Sequence, residues 1–113
     1  MRMFSRRIKI SDFISFAENR LDEYFTEWER STFKLPVNAG SLAARYILKS
    51  MLNEHAGWTG LFTKIEIIND TNGKPMLKVF PVKADNYDIG CIDTVQFSLS
   101  HSKEFAAAML VIN

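Results

Sequence analysis

Several features that would restrict the class of this chain are scarce in its sequence or absent from it. Cys91 is the one cysteine, so an intrachain disulfide is excluded and a reducing compartment suits the chain. No apolar run approaches the ~20 residues that a membrane-spanning helix needs. The basic N-terminal segment is not followed by the long apolar core of a secretory signal. We therefore predict a cytoplasmic protein with no membrane partner.

Charge of one sign is also scarce. The chain has 14 Lys and Arg residues against 13 Asp and Glu residues, a formal net charge of +1 with both histidines neutral. This net charge does not indicate that the protein as a whole binds a polyanion, so any basic site must be local. The basic N-terminus and the aromatic residues leave a nucleic-acid-binding module as an alternative, but the near-neutral charge and an acidic helix count against it. We predict no nucleic-acid partner.

The first part of the sequence contains a helical pattern. The 113 residues suit a single core, and we predict one domain over residues 1–113. After a short strand over residues 8–10, apolar residues recur in steps of three and four from Phe13 to Trp28, which predicts one amphipathic helix. Ser11 or Asp12 would cap this helix. Its opposite face is acidic and carries Glu18, Asp22, Glu23, Glu27 and Glu29.

A second helix is predicted after a loop over residues 31–40, whose proline, asparagine and glycine favour turns. Ser41 would cap this helix, which runs from Leu42 to about His55 and ends at Gly57. Positions one turn apart line one face of the helix, and they are Ser41, Arg45, Lys49 and Asn53. Two cations on one polar face are the first feature that could carry chemistry.

The second half of the sequence alternates between apolar and polar residues, which predicts strands. We expect strands to begin at residues 64–67 and to cover 76–80, 94–99 and 105–112, with a polar loop over 85–93. The last strand is nearly all apolar, so we expect it to be buried on both faces, in part by a partner subunit. Asn72-Gly73 suits the positive φ of a hairpin turn. The predicted fold is α+β, with two helices packed on an antiparallel sheet.

Three segments, in this order, resemble the holo-acyl-carrier-protein synthase type of the 4′-phosphopantetheinyl transferase superfamily. Leu42–Met51 resembles the family helix that ends in a Lys-Glu-Ala motif. Asn69–Pro75 matches the family hairpin. Phe97–Ser102, followed by Phe105–Ala108, matches its closing Ser-x-Ser-His segment. The resemblance covers residues 41–113, and the helix over 13–30 suits the first long helix of the family.

The resemblance implies an enzyme that transfers 4′-phosphopantetheine from coenzyme A to a serine of an acyl carrier protein and releases adenosine 3′,5′-bisphosphate. It implies a homotrimer with coenzyme A bound between subunits and a magnesium ion on the pyrophosphate. Cations and a metal would neutralise the charge that moves to the leaving phosphate, and a general base would help the serine hydroxyl.

The resemblance also assigns residues, with Lys49 as the catalytic residue that stabilises the departing phosphate. The hairpin would approach the nucleotide across a subunit boundary, and His101 would contact a phosphate of the adenosine bisphosphate. The predicted coenzyme A contacts are Arg45, Lys49, Asn72, Gly73, Lys74, Pro75, Ser100 and His101. Each set has a structural alternative, because the two cations suit a solvated helix face, the hairpin suits a turn on steric grounds, and a lone histidine is usually a turn residue.

The sequence departs from the family pattern at the metal site. Ser50 stands at the glutamate of Lys-Glu-Ala, and a hydroxyl is a poorer magnesium ligand than a carboxylate. The N-terminal Gly-x-Asp is missing, and Asp12 is the nearest metal candidate, with a helix cap as its alternative role. Glu54, one turn beyond Ser50, is a weaker candidate. Magnesium held mainly by pyrophosphate oxygens and water would bind more weakly.

A second departure concerns the carrier protein, which is acidic and docks on a basic helix in the family. Here the first helix is acidic, so docking would rely on a basic patch just before it, formed by Arg2, Arg6, Arg7 and Lys9. Both departures favour an alternative function. The chain would then be a non-catalytic homologue that binds coenzyme A or serves as a structural or regulatory subunit in a carrier-protein pathway.

Overall fold

The computed structural model describes residues 1–56, 62–79 and 95–113. Within these ranges the helices and strands, in chain order, are β1 (Arg2–Lys9), α1 (Ile10–Ala17), α2 (Leu21–Tyr24), α3 (Glu27–Thr32), α4 (Ala39–His55), β2 (Ile65–Asn69), β3 (Pro75–Val79), β4 (Val95–His101) and β5 (Phe105–Ile112). A single 3₁₀ turn, Phe62–Lys64, precedes β2. The predictions for Gly57, Phe80, Cys91, the 85–93 loop and Thr94 lie outside the described residues.

The strands form two antiparallel sheets. One sheet has the order β1-β5-β4, and the other pairs β2 with β3. The α+β class and the antiparallel pairing are therefore confirmed, although the described strands divide between two sheets rather than one. The strand predicted over residues 8–10 is present, but its bounds are wrong, because β1 begins at Arg2, ends at Lys9 and pairs along its whole length with β5.

The central strand β5 has one covered face and one open face. Ala106, Ala108 and Leu110 point into the core and are buried, while Met109 between them is 42% exposed. The prediction that both faces are buried is wrong for the chain by itself, and burial by a partner subunit stays a prediction.

The core forms around α4, which packs on the three-stranded sheet and on β2. One apolar cluster joins α4 to α1 through residues such as Phe13 and Leu42. The other joins α4 to both sheets through residues such as Leu48, Ile67 and Leu110. Burying each side chain of this size contributes roughly 1.5–3 kcal/mol relative to exposure. No helix in the described part of the chain is long and apolar enough to cross a membrane.

The predicted single helix from Phe13 to Trp28 is wrong, because the chain forms three short helices there. Thr26 starts the third of them with a capping box, in which its Oγ1 accepts from Glu29 N at 3.2 Å and its N donates to Glu29 Oε1 at 3.0 Å. The apolar residues before and after the breaks still face the same core, as Phe13 and Phe25 show. Periodicity alone therefore did not reveal where the helix is interrupted.

Both predicted helix caps are also wrong. α1 begins at Ile10 with Lys9 in the cap position, so Ser11 and Asp12 already lie inside the helix. α4 begins at Ala39, with Asn38 in the cap position and no capping side chain, so the predicted cap Ser41 is a helical residue. α1 and α4 begin without a capping side chain, so a local cap does not set the start of these two helices.

The turn between β2 and β3 is confirmed. Asp70 Oδ1 accepts hydrogen bonds from Asn72 N and Lys74 N, both at 2.8 Å. Gly73 has φ of +81°, a conformation that L side chains rarely adopt. The sequence Asn72-Gly73 therefore supplies the turn chemistry that this hairpin needs.

Candidate functional site

Lys49 lies on α4 and is fully buried. Its Nζ donates hydrogen bonds to Glu29 Oε1 at 2.5 Å, to Tyr24 O at 2.9 Å and to Phe62 O at 2.9 Å. A lysine ammonium has three donors, and all three are used here. The Nζ also lies 5.2 Å from the ring centre of Phe25. In this arrangement Lys49 has no donor left for a phosphate.

Glu29 is the partner of Lys49 and is equally buried. Besides Lys49, its Oε1 accepts from Thr26 N at 3.0 Å, and its Oε2 accepts from Ile67 N at 3.0 Å. The prediction that Glu29 belongs to a solvent-facing acidic stripe is therefore wrong. The sequence did carry a signal, because Thr26 followed three residues later by Glu29 is a capping box. That signal fixes the helix start but not the burial of the carboxylate.

Arg45, one turn before Lys49, is also buried, with 4% of its surface exposed. Its Nε donates to Ile67 O at 2.9 Å, and its two terminal nitrogens donate to Ser41 O at 3.2 Å and Asn69 Oδ1 at 3.3 Å. Its guanidinium stacks on Phe33 at 4.2 Å. Burial lowers the pKa of Arg45, against the attraction of the nearby Glu29 carboxylate.

Arg45 and Lys49 turn into the fold rather than toward solvent, and their contacts to coenzyme A stay a prediction. Their spacing does place them on one face of α4, as predicted. That face is covered, because the short helices and β2 lie against it and supply the acceptors. Together Glu29 and Arg45 satisfy the N–H and C=O of Ile67, so they act on a strand edge rather than on a ligand.

Burial destabilises the charged form of the Lys49 side chain. Burial lowers the pKa of Lys49 to about 8, because the loss of hydration outweighs the attraction of Glu29. The nearby Arg45 charge lowers it further. The ion pair therefore operates close to the point at which its lysine loses its proton.

Ser100 and His101 lie at the end of β4, and both are exposed. Ser100 contributes with Ser98, Arg6 and Arg7 to the lining of an open cavity of about 390 Å³ on the outer face of the three-stranded sheet. The sequence pointed to the two arginines only for carrier docking and to Ser98 only as part of the Ser-x-Ser-His segment. The strand alternation contained the signal, because Ser98 and Ser100 point to the same face.

The hairpin residues Asn72, Gly73, Lys74 and Pro75 lie at the turn of the two-stranded sheet, and Asn72, Gly73 and Lys74 are exposed. Ser100 and His101 belong to the other sheet. The predicted coenzyme A contacts therefore divide into a buried pair on α4 and exposed groups on two different sheets. The hairpin's approach to a nucleotide bound by another subunit stays a prediction.

The candidate metal ligands do not form a carboxylate site. Asp12 is exposed in the first turn of α1, and the Ser50 hydroxyl donates to Tyr46 O at 2.9 Å. Glu54 pairs with Arg6 at 2.6 Å, and this bond lowers the pKa of Glu54. Across the described ranges, no three His, Cys, Asp or Glu side chains come together as a metal site would need. These donors do not fit a magnesium ion held by the protein.

Relatives of similar length share much of this sequence. The holo-acyl-carrier-protein synthase of Dehalococcoides mccartyi is 32% identical over 108 residues, which cover 94% of this chain and 88% of that protein. The synthase of the same name from a Geobacillus species is 29% identical over 102 residues, which cover 84% of this chain and 78% of that protein. A scan against models of protein families finds no match.

Solved structures share the fold. The holo-acyl-carrier-protein synthase of Bacillus anthracis, in complex with coenzyme A (3′,5′-ADP), has a TM-score of 0.65 at 25% identity, covering 97% of this chain and 93% of that one. The Helicobacter pylori synthase, in complex with coenzyme A, has a TM-score of 0.70 at 16% identity, covering 99% and 100%. The second likeness concerns the fold alone, because its identity is low.

We expect Lys49→Met to destabilise the chain by about 3–5 kcal/mol at neutral pH, because it leaves the Glu29 carboxylate buried without a counter-charge. Adding Glu29→Gln should recover part of this loss, since no lone charge then remains. Urea unfolding followed by circular dichroism measures both effects. The exposed Lys64→Met is the matched control, with an expected change within about 0.5 kcal/mol. A Lys49→Met variant as stable as this control would contradict the structural role.

The stability that Lys49 contributes should depend on pH. The folded chain releases the Lys49 proton near pH 8, whereas an unfolded lysine keeps it to about pH 10.4. Between these values the unfolded state binds more protons, so the free energy of unfolding rises with pH. The difference between the wild type and Lys49→Met should therefore grow from pH 7.5 to pH 10, roughly the window between the two pKa values. A difference that stays constant or shrinks would contradict the lowered pKa.

Proposed function

The chain belongs to the holo-acyl-carrier-protein synthase family, and on this premise we propose that it transfers 4′-phosphopantetheine from coenzyme A to a serine of an acyl carrier protein. The observation that carries the proposal is the 32% identity to a synthase over 94% of the chain. Coenzyme A as the substrate is supported by its presence in the Bacillus anthracis complex. The products of the proposed transfer would be the holo carrier protein and adenosine 3′,5′-bisphosphate.

The reaction forms a bond from the serine oxygen to the phosphorus that carries pantetheine. It breaks the bond from that phosphorus to the bridging oxygen, and the electron pair leaves with the adenosine bisphosphate. The serine O–H bond also breaks, and its proton passes to solvent water. Stabilising this leaving group needs donors or cations near its phosphates. Because Lys49 uses all three of its donors inside the fold and the buried Arg45 uses three of its five, we assign the ligand contacts to exposed groups, namely Ser100 and His101.

The hairpin residues Asn72, Gly73, Lys74 and Pro75 remain proposed contacts to coenzyme A held by a neighbouring subunit. The charged Lys74 side chain of the turn is exposed, so a nucleotide phosphate can reach it. For magnesium, the donors in the described ranges fit no protein-held ion. We propose that any magnesium arrives on the pyrophosphate of coenzyme A. Removing the nucleotide would then weaken magnesium binding, whereas changing Asp12 would not.

We propose that the open face of the three-stranded sheet joins copies of this chain, in agreement with the trimer implied by the sequence resemblance. Met3 on β1 and Met109 on β5 are 59% and 42% exposed. On β5 the outward positions also include Ala107 and Val111, which are partly buried. Exposed apolar side chains at the centre of a sheet face favour association, and here polar residues of the flanking strands, such as Arg7 and Ser98, border them. The cavity beside Ser100 opens on the same face, so a coenzyme A site between subunits would be continuous with it.

A non-catalytic homologue remains the second candidate, and the donor set favours it. Ser50 replaces the family carboxylate and bonds to its own helix, while Glu54 is engaged by Arg6. Such a chain would bind coenzyme A without transferring its pantetheine arm. Carrier docking is also weakened, because the Arg6 charge of the proposed basic patch is already paired, which leaves Arg2, Arg7 and Lys9.

The transfer is tested by incubating the chain with coenzyme A, magnesium and a panel of apo acyl carrier proteins, followed by intact mass analysis. We expect one phosphopantetheine on at least one carrier and none on the same carrier with its acceptor serine changed to alanine. His101→Ala should raise the KM for coenzyme A about tenfold, the loss of one charge-assisted hydrogen bond. Coenzyme A binding by calorimetry without any transfer would contradict the enzyme and support the non-catalytic homologue.

Association is tested by Met109→Asp, which places a charge in the middle of the open sheet face. We expect the wild type to run as a trimer in size-exclusion chromatography with light scattering, and the variant to run as a monomer with an unchanged circular dichroism spectrum. Thr63→Asp, an exposed position outside the sheets, is the control and should stay trimeric. A wild type that is monomeric at every concentration would contradict the proposed assembly.

A further inference from the structure

Gly40 lies in the first turn of α4, directly beside the His101 side chain at the end of β4. A Cβ built on Gly40 would lie 2.6 Å from His101 Nδ1, 2.7 Å from Cγ and 3.0 Å from Cβ. Carbon and nitrogen atoms that are not bonded do not approach this closely, because dispersion contacts are optimal at about 3.5–4.0 Å. Any side chain at position 40 would therefore displace the imidazole or the end of β4.

The glycine is not required by its backbone conformation. Among the residues that the structure describes, Gly73 is the glycine with positive φ, and Gly40 is an ordinary helical residue. Glycine is a poor helix former, so its position inside α4 needs a packing reason. The close approach of the His101 ring is that reason.

The contact also limits how the ring can lie. Nδ1 and Cγ are the ring atoms nearest to the position of the missing Cβ, and Nε2, across the ring from them, lies farther from it. His101 is exposed, and its imidazole makes no hydrogen bond within residues 1–56, 62–79 and 95–113. The ring is therefore positioned by the space above Gly40 rather than by a hydrogen-bond partner.

We infer that Gly40 is a positioning residue for His101, and that the missing side chain at position 40 lets the imidazole present Nε2 to a phosphate of coenzyme A. The identity of this ligand rests on the proposed function, whereas the steric relation between the two residues does not. Gly40 acts through His101 and does not itself touch the ligand.

The steric relation is tested by Gly40→Ala with ¹⁵N-edited NMR of the imidazoles. The chain has two histidines, and the His55 ring stacks on Phe4 at 3.7 Å near the other end of α4. We expect the His101 imidazole signals to move and those of His55 to stay. Ser41→Ala, in the same helical turn but without added volume, should leave both unchanged. Unmoved His101 signals in a folded Gly40→Ala variant would overturn the inference, whatever the activity.

The link to coenzyme A is tested by a double-mutant cycle on the KM for coenzyme A. Gly40→Ala should raise this KM about tenfold and leave kcat within about twofold, because a remote phosphate contact contributes to uniform binding. In the His101→Ala background, Gly40→Ala should have no further effect. An equal increase in both backgrounds, or no increase in the wild type, would overturn the assignment of a phosphate to His101.

The NMR comparison and the double-mutant cycle distinguish a failure of the proposed function from a failure of the inference about Gly40. If the wild type transfers nothing and binds no coenzyme A, the proposed function fails, and the NMR comparison still decides whether Gly40 positions His101. If Gly40→Ala does not fold, His101→Ala should restore folding, because it removes the two ring atoms nearest to the new methyl group. A double variant that also fails to fold would overturn the inference.

Discussion

The buried ion pair between Lys49 and Glu29 is the interaction on which the rest of the structure depends. It ties α4 to α3, and its remaining hydrogen bonds reach the main chain at Tyr24, Thr26, Phe62 and Ile67. A buried charge is tolerated when its partner and its other hydrogen bonds are all in place. Here they are, because the ammonium has three acceptors and the carboxylate has three donors. The pair acts together with the buried rings of Phe13 and Phe25, which also hold the short helices to the core.

This constraint separates the groups that hold the fold from those that are free to bind. The two cations of α4 point inward and serve β2 and the short helices. The exposed groups lie at the end of β4 and in the β2–β3 turn, and His101 touches α4 only where Gly40 leaves space for it. α4 therefore has two roles. Its buried middle stabilises the fold, and its first turn positions the His101 imidazole. Lys49 holds the fold together in this structure, and its catalytic role stays a prediction.

The sequence predicted the α+β class, the hairpin and most of the strands, because alternation and turn residues are local signals. It did not predict the burial of Arg45 and Lys49. A four-residue spacing tells which side chains share a helix face, but not whether another element covers that face. The breaks in the first helix were missed because each short helix keeps its apolar side on the same core. The contact between Gly40 and His101 joins distant parts of the chain, so no local pattern contained it.

The most direct measurement of this separation is a crystal structure of the chain with coenzyme A bound. The account predicts that a phosphate of the nucleotide contacts His101 Nε2 above Gly40, while Lys49 stays paired with Glu29. A complex in which the Lys49 Nζ has left Glu29 and contacts a phosphate would contradict it, because the buried pair would then be part of the ligand site.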